Sequence, residues 1–189
     1  MFNERTLRDL VTSATEAGTS PQPTPLEEEV VALFDQMRDR LLRYLMSTGV
    51  AVHDGEEIVQ EVFLALFQHL QRGKSRRNLR AWVFQVTHNI AVKRYSERRR
   101  QNVVDSEEVL LESFADQSPT PEDQVAGNQR HAQLQNILRA LPQQDRRCLS
   151  LRAEGLTYRE IAQVLDMSLG AVALSLGRSL ARFARAEER

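Results

Sequence analysis

The sequence predicts an all-α protein built as two small helical domains joined by a flexible acidic linker, and three observations carry that expectation. Apolar residues recur at steps of three and four through most of the chain, the spacing that lines one face of a helix. Strand-like alternation and Asn-Gly hairpin signals do not occur in quantity. Two breaks, one rich in proline and one rich in acids, divide the 189 residues into pieces of small-domain size.

Composition bounds the function. The chain is 41% hydrophobic, enough for buried cores, and its formal net charge is −1. A nucleic-acid role must therefore rest on where the charge sits. Cys148 is the single cysteine, which rules out an intramolecular disulfide, suits a reducing compartment and reads as a small buried hydrophobe. The amino end, MFNERTLRDLVTS, mixes acids and bases without an apolar core, and the longest apolar run, VFLALF at 62–67, is short for a membrane span. The expectation is a soluble cytoplasmic protein with no membrane partner.

The proline-punctuated stretch GTSPQPTP at 18–25 closes an amino-terminal extension, residues 1–25. A first unit follows over 26–100. Its opening helix carries Val30, Phe34, Met37, Leu41 and Leu45 on one face and ends at Gly49. The second helix is expected to start at Asp54, a capping side chain, with Glu57 completing a capping-box-like pair. Ile58, Val59, Val62, Phe63, Leu66, Phe67 and Leu70 form its buried stripe, and Asp54, Glu57, Glu61 and Gln68 fall on the opposite face. A solvated acidic face is the default for such a helix. A docking surface for a basic partner is the functional alternative.

The loop QRGKSRRN at 71–78 leads to a third helix, LRAWVFQVTHNIAVKRYSERRR, with Val83, Val86 and Ile90 facing inward. Arg72, Lys74, Arg76, Arg77, Arg80, Lys93, Arg94, Arg98, Arg99 and Arg100 gather here against one acid, Glu97. Trp82, Phe84 and Tyr95 interleave with Gln85, His88 and Asn89, a mix suited to stacking single-stranded bases beside a phosphate-tracking groove. The ordinary reading, that Trp82 and Phe84 fill a small core, is the favoured one for Trp82.

Residues 101–129 hold Asp105, Glu107, Glu108, Glu112, Asp116, Glu122 and Asp123 with the turn former SPTP at 118–121, an acidic tether. The second unit, 130–189, begins with a helix carrying Leu134, Ile137, Leu138 and Leu141 that stops at Pro142. A further helix with Cys148, Leu149 and Leu151 ends near Gly155. Thr157 then caps a short helix with Glu160 three residues on; Ile161, Ala162 and Leu165 face inward, Asp166 and Met167 turn, and Ser168 caps the last helix. Two small helices at this spacing form a helix-turn-helix, a rhythm that also occurs in proteins that never touch DNA.

HDGEEIVQEVFLALF at 53–67 with NLRAWVFQVTHNIAVKRY at 78–95 resembles region 2 of bacterial sigma-70-class factors of the extracytoplasmic-function (ECF) group. LPQQDRRCLSLRAEGLTYREIAQVLDMSLGAV at 141–172 is similar to their region 4. The resemblance implies a non-enzymatic promoter-recognition subunit for transcription initiation. Asp54, Glu57, Gln60 and Glu61 would lie on the clamp helices of the largest subunit of core RNA polymerase, and the region around 134–156 on its flap. Arg76, Arg77, Asn78, Arg80, His88, Asn89, Lys93 and Arg94 would hold the opened minus-ten element, trapping an unstacked base without chemistry. Tyr158, Arg159, Ser168, Ala171, Ala173, Leu174, Ser175 and Arg178 would face promoter DNA at the minus-35 element. An anti-sigma factor is a candidate further partner.

Departures from the family pattern shape that expectation. His88-Asn89 stands where Arg-Asn is usual, and Lys93 where an Asp is usual. The last helix reads GAVALSLGRS where GTVKSRLSRA is typical: Ala173 replaces a base, Ser175 replaces an Arg, Leu174 is apolar and Arg178 keeps its charge. Fewer cations weaken DNA binding and flatten its salt dependence. Either Ala173 and Leu174 read thymine methyls with polar help from Ser175 and Arg159, or this unit has turned toward a protein partner in a sigma-like regulatory protein. For an enzyme the support is thin: His53, His69, His88 and His131 are scattered, and no HExxH, CxxC, glycine-rich phosphate loop or Ser-His-Asp set stands out. No catalytic residue, metal or cofactor is expected. A zinc-containing anti-sigma protein is disfavoured because its His and Cys signature is missing.

Overall fold

The computed structural model describes residues 23–101, 136–138 and 140–187, and among these every regular element is helical. The extension at 1–17, the tether at 102–129 and Leu134 lie outside the described residues. Helix α1 is Pro25–Ser47. It opens with a capping box, in which the Glu27 amide donates to Thr24 Oγ1 at 3.3 Å and the Thr24 amide to Glu27 Oε2 at 2.7 Å. Pro25 sits in the first turn, where its missing amide costs nothing. Val30, Met37, Leu41, Tyr44 and Leu45 are buried, and Gly49, at φ 92°, turns the chain back.

Helix α2 is Val52–Gln71 and starts two residues before the expected Asp54 cap. Its N-cap is Ala51, with no side-chain hydrogen bond, because only Val50 and Ala51 separate the Gly49 turn from the next helical residue. Asp54 instead lies in the first turn, still at the favourable end of the helix dipole, and its carboxylate is turned to another helix. Where α1 and α2 pack, Gly55 is buried, and a Cβ there would meet Leu42 Cδ2 at 3.3 Å. Ile58, Val59, Val62, Phe63, Leu66 and Leu70 fill the interface, each contributing roughly 1.5–3 kcal/mol by leaving water. Phe34 and Phe67 are half-buried, Phe34 edge-on to Phe63 at 5.0 Å between ring centres.

Helix α3, Leu79–Gln101, packs on both. Ala81, Val83 and Phe84 are buried, Val86 and Ile90 only half so.

The second unit has α4, Gln143–Ala153, α5, Tyr158–Leu165, and α6, Leu169–Glu187. Thr157 and Glu160 form the expected capping box on α5, and Asp166, in the left-handed region at φ 51°, ends it. Ser168 Oγ accepts the Ala171 amide at 3.1 Å and caps α6. The chain bends by 106° between α5 and α6, within the range of a helix-turn-helix. Leu141, Cys148, Leu151, Leu156, Ile161, Val164, Val172 and Leu176 are its core. The two units touch: α1 packs on α4 and α3 on α5, and their buried side chains form one cluster. Among the described residues no single helix is long and apolar enough to cross a membrane.

Candidate polymerase and nucleic-acid interfaces

The acidic face of α2 is not alone in solvent. Arg94 of α3 reaches Glu57 at 2.9 Å and Glu61 at 3.1 Å, and Arg98 grips Asp54 at 2.6 and 2.7 Å. The Arg98 guanidinium holds the Asp54 carboxyl below the usual carboxylate range. Gln60 is half-buried beside this ladder. Residues expected to serve two separate surfaces, Glu57 and Glu61 for polymerase and Arg94 for DNA, therefore meet. Glu57 and Glu61 remain about half exposed, so the ladder adds little stability and leaves its acids within reach of a competing cation.

The basic loop is exposed throughout 71–78. Arg76 pairs with Glu29 at 3.2 Å. Asn78 takes a left-handed backbone at φ 55°, a conformation asparagine tolerates, and its carbonyl accepts the Trp82 amide at 3.1 Å. Arg80 is half-buried and donates to the Glu154 carbonyl at 3.1 Å. Arg77, Asn89 and Lys93 are exposed, and neither cation has an ion-pair partner among the described residues.

Two expectations on α3 require correction. Phe84 is fully buried, 5.8 Å from the Tyr44 ring, and cannot stack a base. His88 lies half-buried with Nδ1 2.8 Å from the Tyr44 hydroxyl. Burial, with the nearby Arg147 charge, pushes its pKa down to about 4, so near neutral pH it is an uncharged partner of Tyr44 and not a phosphate-binding cation. Trp82 is half-buried, 4.6 Å from the His69 ring, which leaves Tyr95, 44% exposed, as the freest aromatic of the three.

On the helix-turn-helix, Tyr158 and Arg159 are exposed, with the Arg152 guanidinium 5.8 Å from the Tyr158 ring centre. Ala173 and Leu174 face solvent, Leu174 at 65% exposure, while Ala171 is half-buried and Ser168 is taken up by capping. Ser175 corrects the sequence reading. It is fully buried, and its hydroxyl donates to Asp145 Oδ1 at 2.6 Å. It shares the inward stripe of Val172, Leu176 and Ser179, spaced by three and four, so it cannot reach a DNA groove. Arg178 is committed to the same carboxylate at 2.7 and 3.2 Å, and that guanidinium, with the Ser175 hydroxyl, holds the Asp145 carboxyl below its ordinary range. Sequence reasoning missed Asp145, whose only signal was a lone acid ahead of Arg146 and Arg147, and it missed Arg40, Arg43 and Glu154.

A three-helix unit with an acidic face beside a basic helix, followed by a helix-turn-helix, is the arrangement of regions 2 and 4 of a sigma-70-class factor. The family description Sigma-70 region 2 matches residues 33–101, and Sigma-70, region 4 matches residues 131–183. RNA polymerase sigma factor CnrH of Cupriavidus metallidurans is 32% identical over 142 residues, covering 72% of this chain and 74% of its own length. ECF RNA polymerase sigma factor BldN of Streptomyces coelicolor is 26% identical over 155 residues, 81% of this chain but 58% of its own length. The solved structure of CnrH in complex with the cytosolic domain of CnrY has the same fold, with a TM-score of 0.58 at 21% identity over 98% of this chain and 97% of that chain. The chain belongs to the sigma-70-class RNA polymerase sigma factors. Within that class it is a member of the ECF group, as is ECF RNA polymerase sigma factor ShbA of Streptomyces griseus, 34% identical over 151 residues that cover 75% of this chain and 78% of its own length.

Proposed function

We propose that this chain binds core RNA polymerase through the acidic face of α2 and promoter DNA through the 71–78 loop, α3 and the helix-turn-helix, and so directs transcription initiation. The observation that best supports this is the exposed set Arg77, Asn89 and Lys93 on the first unit, which stands ready to track an opened strand while Tyr158, Arg159 and Ala173 face outward on the second. Residues 26–100 and 130–189 act as the two binding modules. The work is binding in the cytoplasm, without catalytic chemistry or a cofactor. Glu57 and Glu61 already hold Arg94, so a basic polymerase surface docks there by joining or displacing that guanidinium.

Transcription by core polymerase plus the purified chain, over a promoter library, tests the reading. Arg77→Ala with Lys93→Ala should abolish promoter melting and lower the logarithmic salt slope on single strands by about 0.7 for each phosphate no longer neutralised. Unaltered melting and slope would remove the assignment.

One observation favours a second reading, in which the helix-turn-helix meets a protein regulator of the anti-sigma kind. Leu169, Leu174 and Leu180 are at least half exposed along α6, while Arg178 is engaged by Asp145. Ala173→Lys separates the two readings. Tighter promoter binding with a steeper salt dependence supports groove entry, and unchanged promoter affinity supports the protein partner.

A further inference from the structure

The last turn of α2 runs into the 71–78 loop through the left-handed C-terminal motif that glycine favours. Gly73, at φ 67°, donates its amide to the Leu70 carbonyl at 2.9 Å, and Lys74 donates to the His69 carbonyl at 3.2 Å. An apolar contact across the turn commonly accompanies this pattern. Here the helical end is His69, and its ring reaches one residue further along the chain, with Nε2 3.1 Å from the Ser75 carbonyl. A carbonyl only accepts, so Nε2 carries the proton. His69 therefore holds two successive loop residues, Lys74 through its backbone and Ser75 through its ring.

A histidine in the last turn of a helix ordinarily complements the negative end of the dipole. The surroundings of this ring argue for more. It is half-buried and stands 4.6 Å from the Trp82 ring, tilted by 41°, between the loop and the first turn of α3. Trp82 in turn donates its amide to the Asn78 carbonyl at 3.1 Å, which closes the far end of the loop. Within the loop Ser75 Oγ accepts the Arg77 amide at 3.2 Å. Every residue of 71–78 is exposed, so these polar contacts, and not core packing, set the loop's shape. A loop that must be ordered on binding loses affinity to conformational entropy, and one ordered beforehand does not.

We propose that His69 is a positioning residue for strand capture, which pre-orders the 71–78 loop so that Arg76, Arg77 and Asn78 meet the opened strand in one arrangement. The inference rests on the assignment of that loop under the proposed function. His69 touches no strand itself. It acts through Lys74 and Ser75, and through the Arg77 amide that Ser75 holds.

The test compares the full-length parent with His69→Phe, which keeps a ring against Trp82 but loses the donor, and His69→Gln, which keeps a donor on a side chain of similar reach. Amide hydrogen exchange of Lys74 and Arg77 is measured without DNA, and affinity and salt slope are measured on a fluorescent single-stranded DNA pool. His69→Phe should bind the strand on the order of fivefold more weakly, the factor set by one hydrogen bond of ordinary net strength. Its salt slope should be unchanged, because no phosphate contact is lost. The two amides should exchange faster by a similar factor, since both read local opening of the loop. His69→Gln should restore parent behaviour in all three readouts. Gly73→Ala stands in if His69→Phe fails to fold: a Cβ there meets nothing within 4 Å, yet the left-handed backbone disfavours it, so it should loosen the same turn and weaken the strand likewise. Unchanged exchange in His69→Phe overturns the hold on the loop. Faster exchange with unchanged strand affinity overturns the role in capture. His69→Gln as weak as His69→Phe overturns the positioning role, and a slope lowered by about 0.7 in both makes His69 a phosphate contact instead. If Arg77→Ala/Lys93→Ala binds the strand as well as the parent, the surface assignment falls, while the exchange rates still decide whether His69 orders the loop.

Discussion

Replacing Asp145 by alanine tests the buried polar node that joins α4 to α6. Asp145 is 1% exposed and accepts from the fully buried Ser175 hydroxyl at 2.6 Å and from Arg178 at 2.7 and 3.2 Å. The substitution strands the Ser175 hydroxyl in the core, a loss of about 1–3 kcal/mol. Arg178 is exposed and returns to water, so it adds nothing to that figure. Ser175→Ala alone removes a donor but leaves the carboxylate its guanidinium, and should cost about 1 kcal/mol. The double variant should then be less destabilised than the sum, because the two side chains act as one unit. Urea denaturation of the full chain followed by circular dichroism gives all three values. The node also fixes a pH dependence. The folded carboxyl is held below its ordinary 3.8, so its stabilisation is complete above about pH 4 and fades as the pH falls through the folded value. Strict additivity, or Asp145→Ala within about 0.5 kcal/mol of the parent, would refute the reasoning.

Other substitutions distinguish buried from presented groups. Phe84→Ala should cost about 3–5 kcal/mol by opening a cavity, while exposed Tyr95→Ala should stay within about 0.5 kcal/mol yet weaken single-strand binding; the reverse pattern in denaturation would invert the assignment of the two rings. Ser175→Arg, which copies the usual family residue, should destabilise the second unit by at least about 1–3 kcal/mol through overpacking, read as a lower urea midpoint. His88 has a folded pKa near 4 against 6.5 when unperturbed; stability is complete above about pH 6.5 and declines as the pH falls toward 4, because the unfolded chain binds the proton first. His88→Gln should flatten that slope, and a nuclear magnetic resonance titration should place the ring below pH 5. Glu57→Gln with Glu61→Gln should weaken core-polymerase binding at unchanged helicity, and normal competition for core would leave the face as plain surface.

What the sequence made legible was local. Helical spacing placed Leu41, Leu45, Val62 and Leu66 in a core they do occupy, and Thr157 with Glu160 predicted a cap that forms with both reciprocal bonds. Those signals are carried within a few residues. The helix-turn-helix polarity was equally readable, except at Ser175, where likeness to a family motif that carries Arg outweighed the simple count of threes and fours from Val172 to Ser179. Pairing between helices was not legible, because it depends on register. Asp54 meets Arg98 while Glu57 meets Arg94, a descending match that exists only once α2 and α3 lie antiparallel across the 72–78 loop. A count of ten cations against Glu97 therefore overstated the free positive charge of the basic surface, since the acids that offset it belong to the preceding helix. Glu154 was further out of reach, with partners 111 and 114 residues away. Its local context, an acid at the wrong end of a helix dipole, did carry a hint, because a misplaced charge needs compensation from somewhere outside its own helix. The residues whose partners the sequence leaves hidden are thus those whose charge looks misplaced or surplus in isolation.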